Sequence, residues 1–214
     1  MSIARRPGVC IGALAIWAAL LVAPVAAQSV PLFAAQLSGA NIDALFGQDN
    51  SPEATETEIP LQGINGKAIL QSRVIRAAPG SRAAGRFAYE YRIDLSQATT
   101  FVDASCLTNL SVKFGPIEKL PYAAGAPGVA LRDVYAIKQG VPANQLGFSS
   151  AVQTGDLVTF TFEQPVCASD GRTPGDTTFA FGLASRDAPD RGVNVVIDAP
   201  GLEDMRVKSF GPIR

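Results

Sequence analysis

Apolar and polar residues alternate with a period of two along much of the chain, the pattern of strands with one buried and one wet face. In Arg86–Leu95 the odd positions Phe87, Tyr89, Tyr91, Ile93 and Leu95 are apolar or aromatic, while Glu90, Arg92 and Asp94 are charged. Sandwich strands need this division, and it places Glu90 on a solvated face. Val158–Glu163 repeats the design, with Glu163 at its end, as do Phe179, Phe181 and Leu183, and then Val193, Val195 and Ile197. Ala68–Arg76, Phe101–Ala104 leading into the strand that opens at Cys106, Asp133–Lys138 and Arg206–Phe210 are further strands. Asn65-Gly66, between Ile59–Ile64 and Lys67–Ile75, predicts a type I′ hairpin. Thr154-Gly155-Asp156, Asp170-Gly171 and Pro174-Gly175-Asp176 are turns between later strands. The expectation is an all-β β-sandwich over residues 58–214, immunoglobulin-like or jelly-roll in type, with about nine or ten strands.

Residues 28–57 break this pattern and read as a short N-terminal extension or loop-rich segment. Within it Val30–Leu37 is a weakly signalled strand, Ser38–Phe46 a short helix, and the acidic stretch Gly47–Glu58 a loop. A short echo joins Val112–Ile117 to Val207–Ile213, both ending in Gly-Pro-Ile; similar Gly-Pro turns explain it more simply than a duplicated half-domain.

The first 27 residues have another character. Arg5 and Arg6 precede an apolar run from Val9 to Val25, which ends in Val25-Ala26-Ala27. A basic start, an apolar middle and small residues at the end make a secretory signal peptide, with cleavage expected after Ala27. Pro24 interrupts the run, which falls short of the roughly 20 residues of a membrane span, so no stable membrane insertion is expected after cleavage. The protein is expected to be secreted or periplasmic, and the leader is bacterial in style. Cleavage removes Trp17 and Cys10, and leaves 16 of the 18 basic residues against 19 acidic ones, a net charge of −3. The two signs are interspersed, with no basic stripe to follow a phosphate backbone, so nucleic acid is not an expected partner.

Two cysteines then remain, Cys106 and Cys167, and in an oxidising compartment an even pair predicts one disulfide. If Leu110, Val112 and Phe114 point inward, Cys106 shares their parity and points inward too.

Candidate chemistry is sparse. The chain has no histidine, which excludes Ser-His-Asp and Cys-His catalysis and the common histidine zinc sites. Gly147-Phe148-Ser149-Ser150-Ala151 approaches a nucleophile elbow but lacks the final glycine, and reads as a turn or strand start. Neither Ser-x-x-Lys nor a glycine-rich phosphate loop occurs. No catalytic residue and no cofactor is therefore assigned. Calcium needs only oxygen donors, and Asp170 with Asp176, then Asp187 with Asp190, are its weak candidates, although aspartate beside glycine or proline is also ordinary turn chemistry.

The sequence thus predicts an exported, non-enzymatic module that binds a protein or glycan at the cell surface or in the periplasm, or serves a structural role there. Loops at one end of the sandwich are the expected working surface: Pro121–Gly128, Ala168–Asp176 and Arg186–Arg191. Two rivals are a carbohydrate-active hydrolase with paired carboxylates such as Glu90 and Glu163, and a strand-donating subunit of a surface assembly, with Val30–Leu37 as donor.

Overall fold

The structure is a computed structural model and describes residues 27–47, 53–101, 105–122, 130–138 and 145–213. The leader up to residue 26, the strand residues expected at 102–104, and most of the loop expected at 121–128 lie outside the described residues.

The described chain is nearly all β, with one short helix. In chain order its elements are β1 (Ser29–Pro31), β2 (Ala34–Leu37), α1 (Gly39–Phe46), β3 (Glu53–Ile59), β4 (Ile64–Gly66), β5 (Ala68–Arg76), β6 (Phe87–Asp94), β7 (Ala98–Thr100), β8 (Cys106–Lys113) and β9 (Val134–Ile137). There follow β10 (Gln145–Leu146), β11 (Phe148–Thr154), β12 (Leu157–Cys167), β13 (Thr177–Thr178), β14 (Ala180–Ser185), β15 (Pro189–Asp198) and β16 (Met205–Pro212). Sixteen strands exceed the expected nine or ten because five of them, β1, β4, β7, β10 and β13, have only two or three residues, and β3 falls where a loop was expected. Runs that short carry no readable periodicity.

Two sheets pack face to face. The first runs β1-β11-β12-β8-β15-β16. The second runs β3-β5-β6-β14-β9-β2, with β13 also beside β6 and β10 beside β13. Inward side chains of both sheets form the main core, where Phe181 meets Tyr91, Phe148, Phe160 and Phe162, with ring centroids 4.8 to 6.3 Å apart. The sandwich is tied on both flanks. On one, Thr57 Oγ1 of β3 donates to the Lys208 carbonyl of β16 at 2.8 Å, and the Tyr91 hydroxyl donates to the Phe210 carbonyl at 2.8 Å. On the other, the expected strand Val30–Leu37 is broken at Leu32-Phe33, so that β1 pairs with β11 in the first sheet and β2 pairs in parallel with β9 in the second. The echo strands β8 and β16 flank β15, where Val112 and Val207 both face Val195.

Three other expectations are corrected. Glu53–Glu58, expected within a loop, belongs with Ile59 to an edge strand paired along its length with β5. Its Glu-Ala-Thr-Glu-Thr-Glu sequence is polar on both faces because an edge strand packs little. Asn65-Gly66 is no hairpin turn, since Asn65 faces Thr99 and Gly66 faces Ala98 in the β4–β7 pair, while the hairpin proper joins β3 to β5. Cys106 is only half-buried, whereas Leu107 and Leu110 are both in the core. A register shift in β12 between Thr161 and Val166 resets the parity, at a stretch containing Pro165. Cys106 and Cys167 face each other in the β8–β12 ladder and form a disulfide, their Cα atoms 4.0 Å apart.

Helix α1 forms a partial third layer. Gly47, at φ +82°, ends it by donating its N–H to the Asp43 carbonyl at 2.8 Å. Ile42, Leu45 and Phe46 pack with Leu37, Ile75, Ala88, Tyr135, Ile137 and Ala184 as a second apolar cluster on the outer face of the second sheet. The helix covers only part of that face.

Candidate functional site

The outer face of the second sheet changes character row by row. Under the helix cluster lies a row of small or apolar side chains, Ile75, Ala88 and Ala184, in register across β5, β6 and β14. One row along, Tyr135, Gly182, Glu90, Arg73 and Ala54 face one another in turn across β9, β14, β6, β5 and β3. A further row holds Ala180, Arg92, Gln71 and Glu56. The alternation that puts Glu90 on the outer face is read correctly from sequence. That face is not solvated at this point: Glu90 is 1% exposed.

Glu90 is held from both sides. Arg73 Nε donates to Glu90 Oε2 in a salt bridge, and the Tyr135 hydroxyl donates to Oε1 at 3.1 Å. Tyr135 reaches across β14 because the residue between is glycine; a Cβ on Gly182 would lie 3.0 Å from the tyrosine oxygen and would also strike the Tyr89 carbonyl. Burial pushes the Glu90 carboxyl above its ordinary value, and the bonds from Arg73 and Tyr135 only partly offset it. Burial acts to lower Arg73, but the Glu90 carboxylate outweighs it and holds the guanidinium above its ordinary value. Burial, and then the Glu90 charge, push the Tyr135 hydroxyl well up, so it remains a donor.

Beside this triad a cleft of about 320 Å³ opens, with Glu56, Gln71, Arg73, Glu90, Arg92 and Ala180 among its lining residues. A smaller depression of about 60 Å³ adjoins it and shares Arg73, Arg92 and Ala180, adding Ile137 and Gln145. The Gln71 side-chain amide donates to Glu56 at 3.0 Å. Arg92 Nε and Gln145 Oε1 are buried and have no hydrogen-bond partner among the described residues.

The other candidate residues stand apart from this cleft. Glu163 is exposed on β12 of the first sheet, against Gly147, and lines a different depression with Lys138 and Phe179. Glu90 and Glu163 thus do not form a facing pair. Asp170 Oδ1 accepts from the Arg172 and Thr173 backbone N–H groups at 2.8 and 2.7 Å, which lowers its carboxyl to about 2. Asp176 Oδ2 accepts from the Cys167 N–H, and Asp190 Oδ1 from the Gly192 N–H. The Asp187 carbonyl accepts from the Tyr89 hydroxyl. Among the described residues, no three or more His, Cys, Asp or Glu side chains come together in a way that could hold a metal ion. Of the expected loops, Arg186 pairs with Glu118, and Arg191 pairs with Glu53 and lies over the Phe210 ring. Phe148–Ala151 is the start of β11, as its sequence suggested.

Sequence reasoning missed Arg73, Tyr135, Gly182 and Arg92 as a group. The only available signal was the outer-face set Gln71-Arg73 and Glu90-Arg92 on adjacent strands, and strand partners cannot be read from alternation alone.

Fold and site together define a helix-capped all-β sandwich with a polar cleft on one outer sheet face. No protein-family profile matches the chain, nor does any curated protein or solved structure.

Proposed function

We propose that the protein is an exported, non-enzymatic binding module that takes a small polar ligand in the cleft on the outer face of the second sheet. The cleft itself carries the reading: about 320 Å³ of open space, within the range of small-molecule sites, on a sheet floor where rigid strands present charged side chains. Its buried carboxylate is committed to Arg73 and Tyr135, a structural arrangement more than a reactive one. The Cys106–Cys167 disulfide suits an oxidising compartment, as does the leader-like start of the chain. No helix among the described residues is long and apolar enough to cross a membrane.

The test is an NMR titration of isotope-labelled protein with a set of small polar compounds. Shifts are expected to cluster on Gln71, Arg73, Arg92 and Ala180. Shifts confined to the 168–176 and 186–191 loops would move the binding surface to the ends of the sandwich and overturn the proposal.

One observation favours a hydrolase as a second reading. Glu56 and Glu90 line the same cleft, and burial raises Glu90 as a general acid requires. Against it stands the 1% exposure of Glu90, which leaves little room for a glycosidic oxygen to approach. Release of reducing sugar from a polysaccharide, abolished by Glu56→Gln, would support the hydrolase.

A further inference from the structure

We infer that the cleft recognises a carboxylate, and that Arg92 is the residue that grips it; this rests on the cleft being the binding site. Arg92 projects from β6 onto the outer face, directly opposite Gln71 of β5. Its neighbour in the cleft, Arg73, has its charge matched by Glu90. Arg92 takes part in none of the ion pairs among the described residues. The Gln71 side chain opposite it is occupied with Glu56. Arg92 therefore brings to the cleft a guanidinium that is in no ion pair and a buried Nε–H with no acceptor. Buried donors are almost always satisfied in folded proteins, and each exception calls for an explanation. A carboxylate meets the planar guanidinium fork with two parallel hydrogen bonds and supplies the missing acceptor.

The rest of the lining narrows the ligand. Gln145 Oε1 is a second unsatisfied buried atom, and it is an acceptor. It calls for a hydroxyl or ammonium donor on the ligand, close to the carboxylate. Charge sets the valence. Arg73 and Arg92 balance Glu56 and Glu90, so the empty cleft is formally neutral. A single carboxylate sets one negative charge against Arg92, whereas a phosphate dianion sets a second one against the Glu56 carboxylate. The ligand class is thus a small monocarboxylate bearing hydroxyl or amino groups, either a sugar acid or an amino acid.

Calorimetric titration of the mature chain separates these sources. D-glucuronate is compared with neutral D-glucose, L-alanine with L-alaninamide, and inorganic phosphate serves as the dianion. One carboxylate is expected to bind at least about tenfold more tightly than its counterpart without a carboxylate and than phosphate, as fits a charge-assisted contact. Arg92→Gln should weaken it by at least about tenfold and Arg92→Lys by less, with melting temperatures near the parent's to show that both fold. If Arg92→Gln alone fails to fold, Arg92→Lys decides, because loss of the bidentate fork should still weaken binding. Failure of both carboxylates to bind at about 10 mM, equal affinity in the Arg92 variants, or tighter binding of phosphate would each overturn the inference. Ala180→Trp, which fills the cleft, keeps the two readings apart. If D-glucose binds, is blocked by Ala180→Trp and is indifferent to Arg92→Gln, the cleft remains a binding site and the carboxylate inference alone falls.

Discussion

Glu90, a charged side chain 1% exposed on an outer sheet face, shows how one residue's neighbours set its behaviour. Its folded carboxyl titrates above the ordinary value, with burial as the main cause and Asp43 of α1 adding a smaller upward push. A raised carboxyl means that the folded state holds its proton to higher pH than the unfolded chain does. The associated stability is present below the unfolded value and is lost as pH rises through the folded one. Urea unfolding of the parent and Glu90→Gln across the acid range should show the parent losing stability against the variant as pH rises; a flat difference would contradict this. Asp170 has the opposite sign. Backbone N–H groups of Thr173 and Arg172 hold it at about 2, so its contribution is present above the ordinary carboxylate value and is lost as pH falls through about 2. A carbon-detected NMR titration should place its midpoint there, and a midpoint near 4 would mean that the Asp170 turn does not persist in solution. In the core, Phe181→Ala removes a ring packed against four others and should cost about 3–5 kcal/mol by denaturant unfolding.

At the scale of elements, legibility followed burial. β5 lies at Ala68–Arg76, the expected bounds, and β6 starts and stops within one residue of Arg86–Leu95, because each turns one face into the core, through Leu70 and Val74 in β5 and through Tyr89, Tyr91 and Ile93 in β6. β3 was hidden because neither face of its polar run is deeply buried before Ile59. Asn65-Gly66 misled because a positive-φ glycine marks a bend without saying which strands it joins; Gly66 has φ +85° inside a short paired segment. The Glu90 environment was illegible for a related reason. Its partners come from β5 and β9, and Asp43 of α1 acts on its charge, three placements that only the tertiary fold decides. Tyr135→Phe tests that row directly: it leaves Glu90 Oε1 without its donor and should cost about 1–3 kcal/mol, measured by the same unfolding assay.

For the whole molecule the sandwich class was legible and the cleft was not, since a cavity on a sheet face depends on which strands pair. The disulfide joins adjacent strands of one sheet, closing a sequence separation of 61. On the chain-entropy account a loop of that length contributes about 4 kcal/mol, and in a chain of this size each kcal/mol moves the melting temperature by about 2–4 °C. Calorimetry with reductant should therefore show a fall of about 8–16 °C. The split strap β1–β2 has a consequence for how the molecule is built. Its two halves hydrogen-bond to residues 134–137 and 152–154, so the first described strands stay unpaired until segments a hundred or more positions later emerge. On the opposite flank β3 meets β16, the last strand described. Neither seam can close early during synthesis, and a chain with such distant pairings folds slowly, on the millisecond-to-second scale.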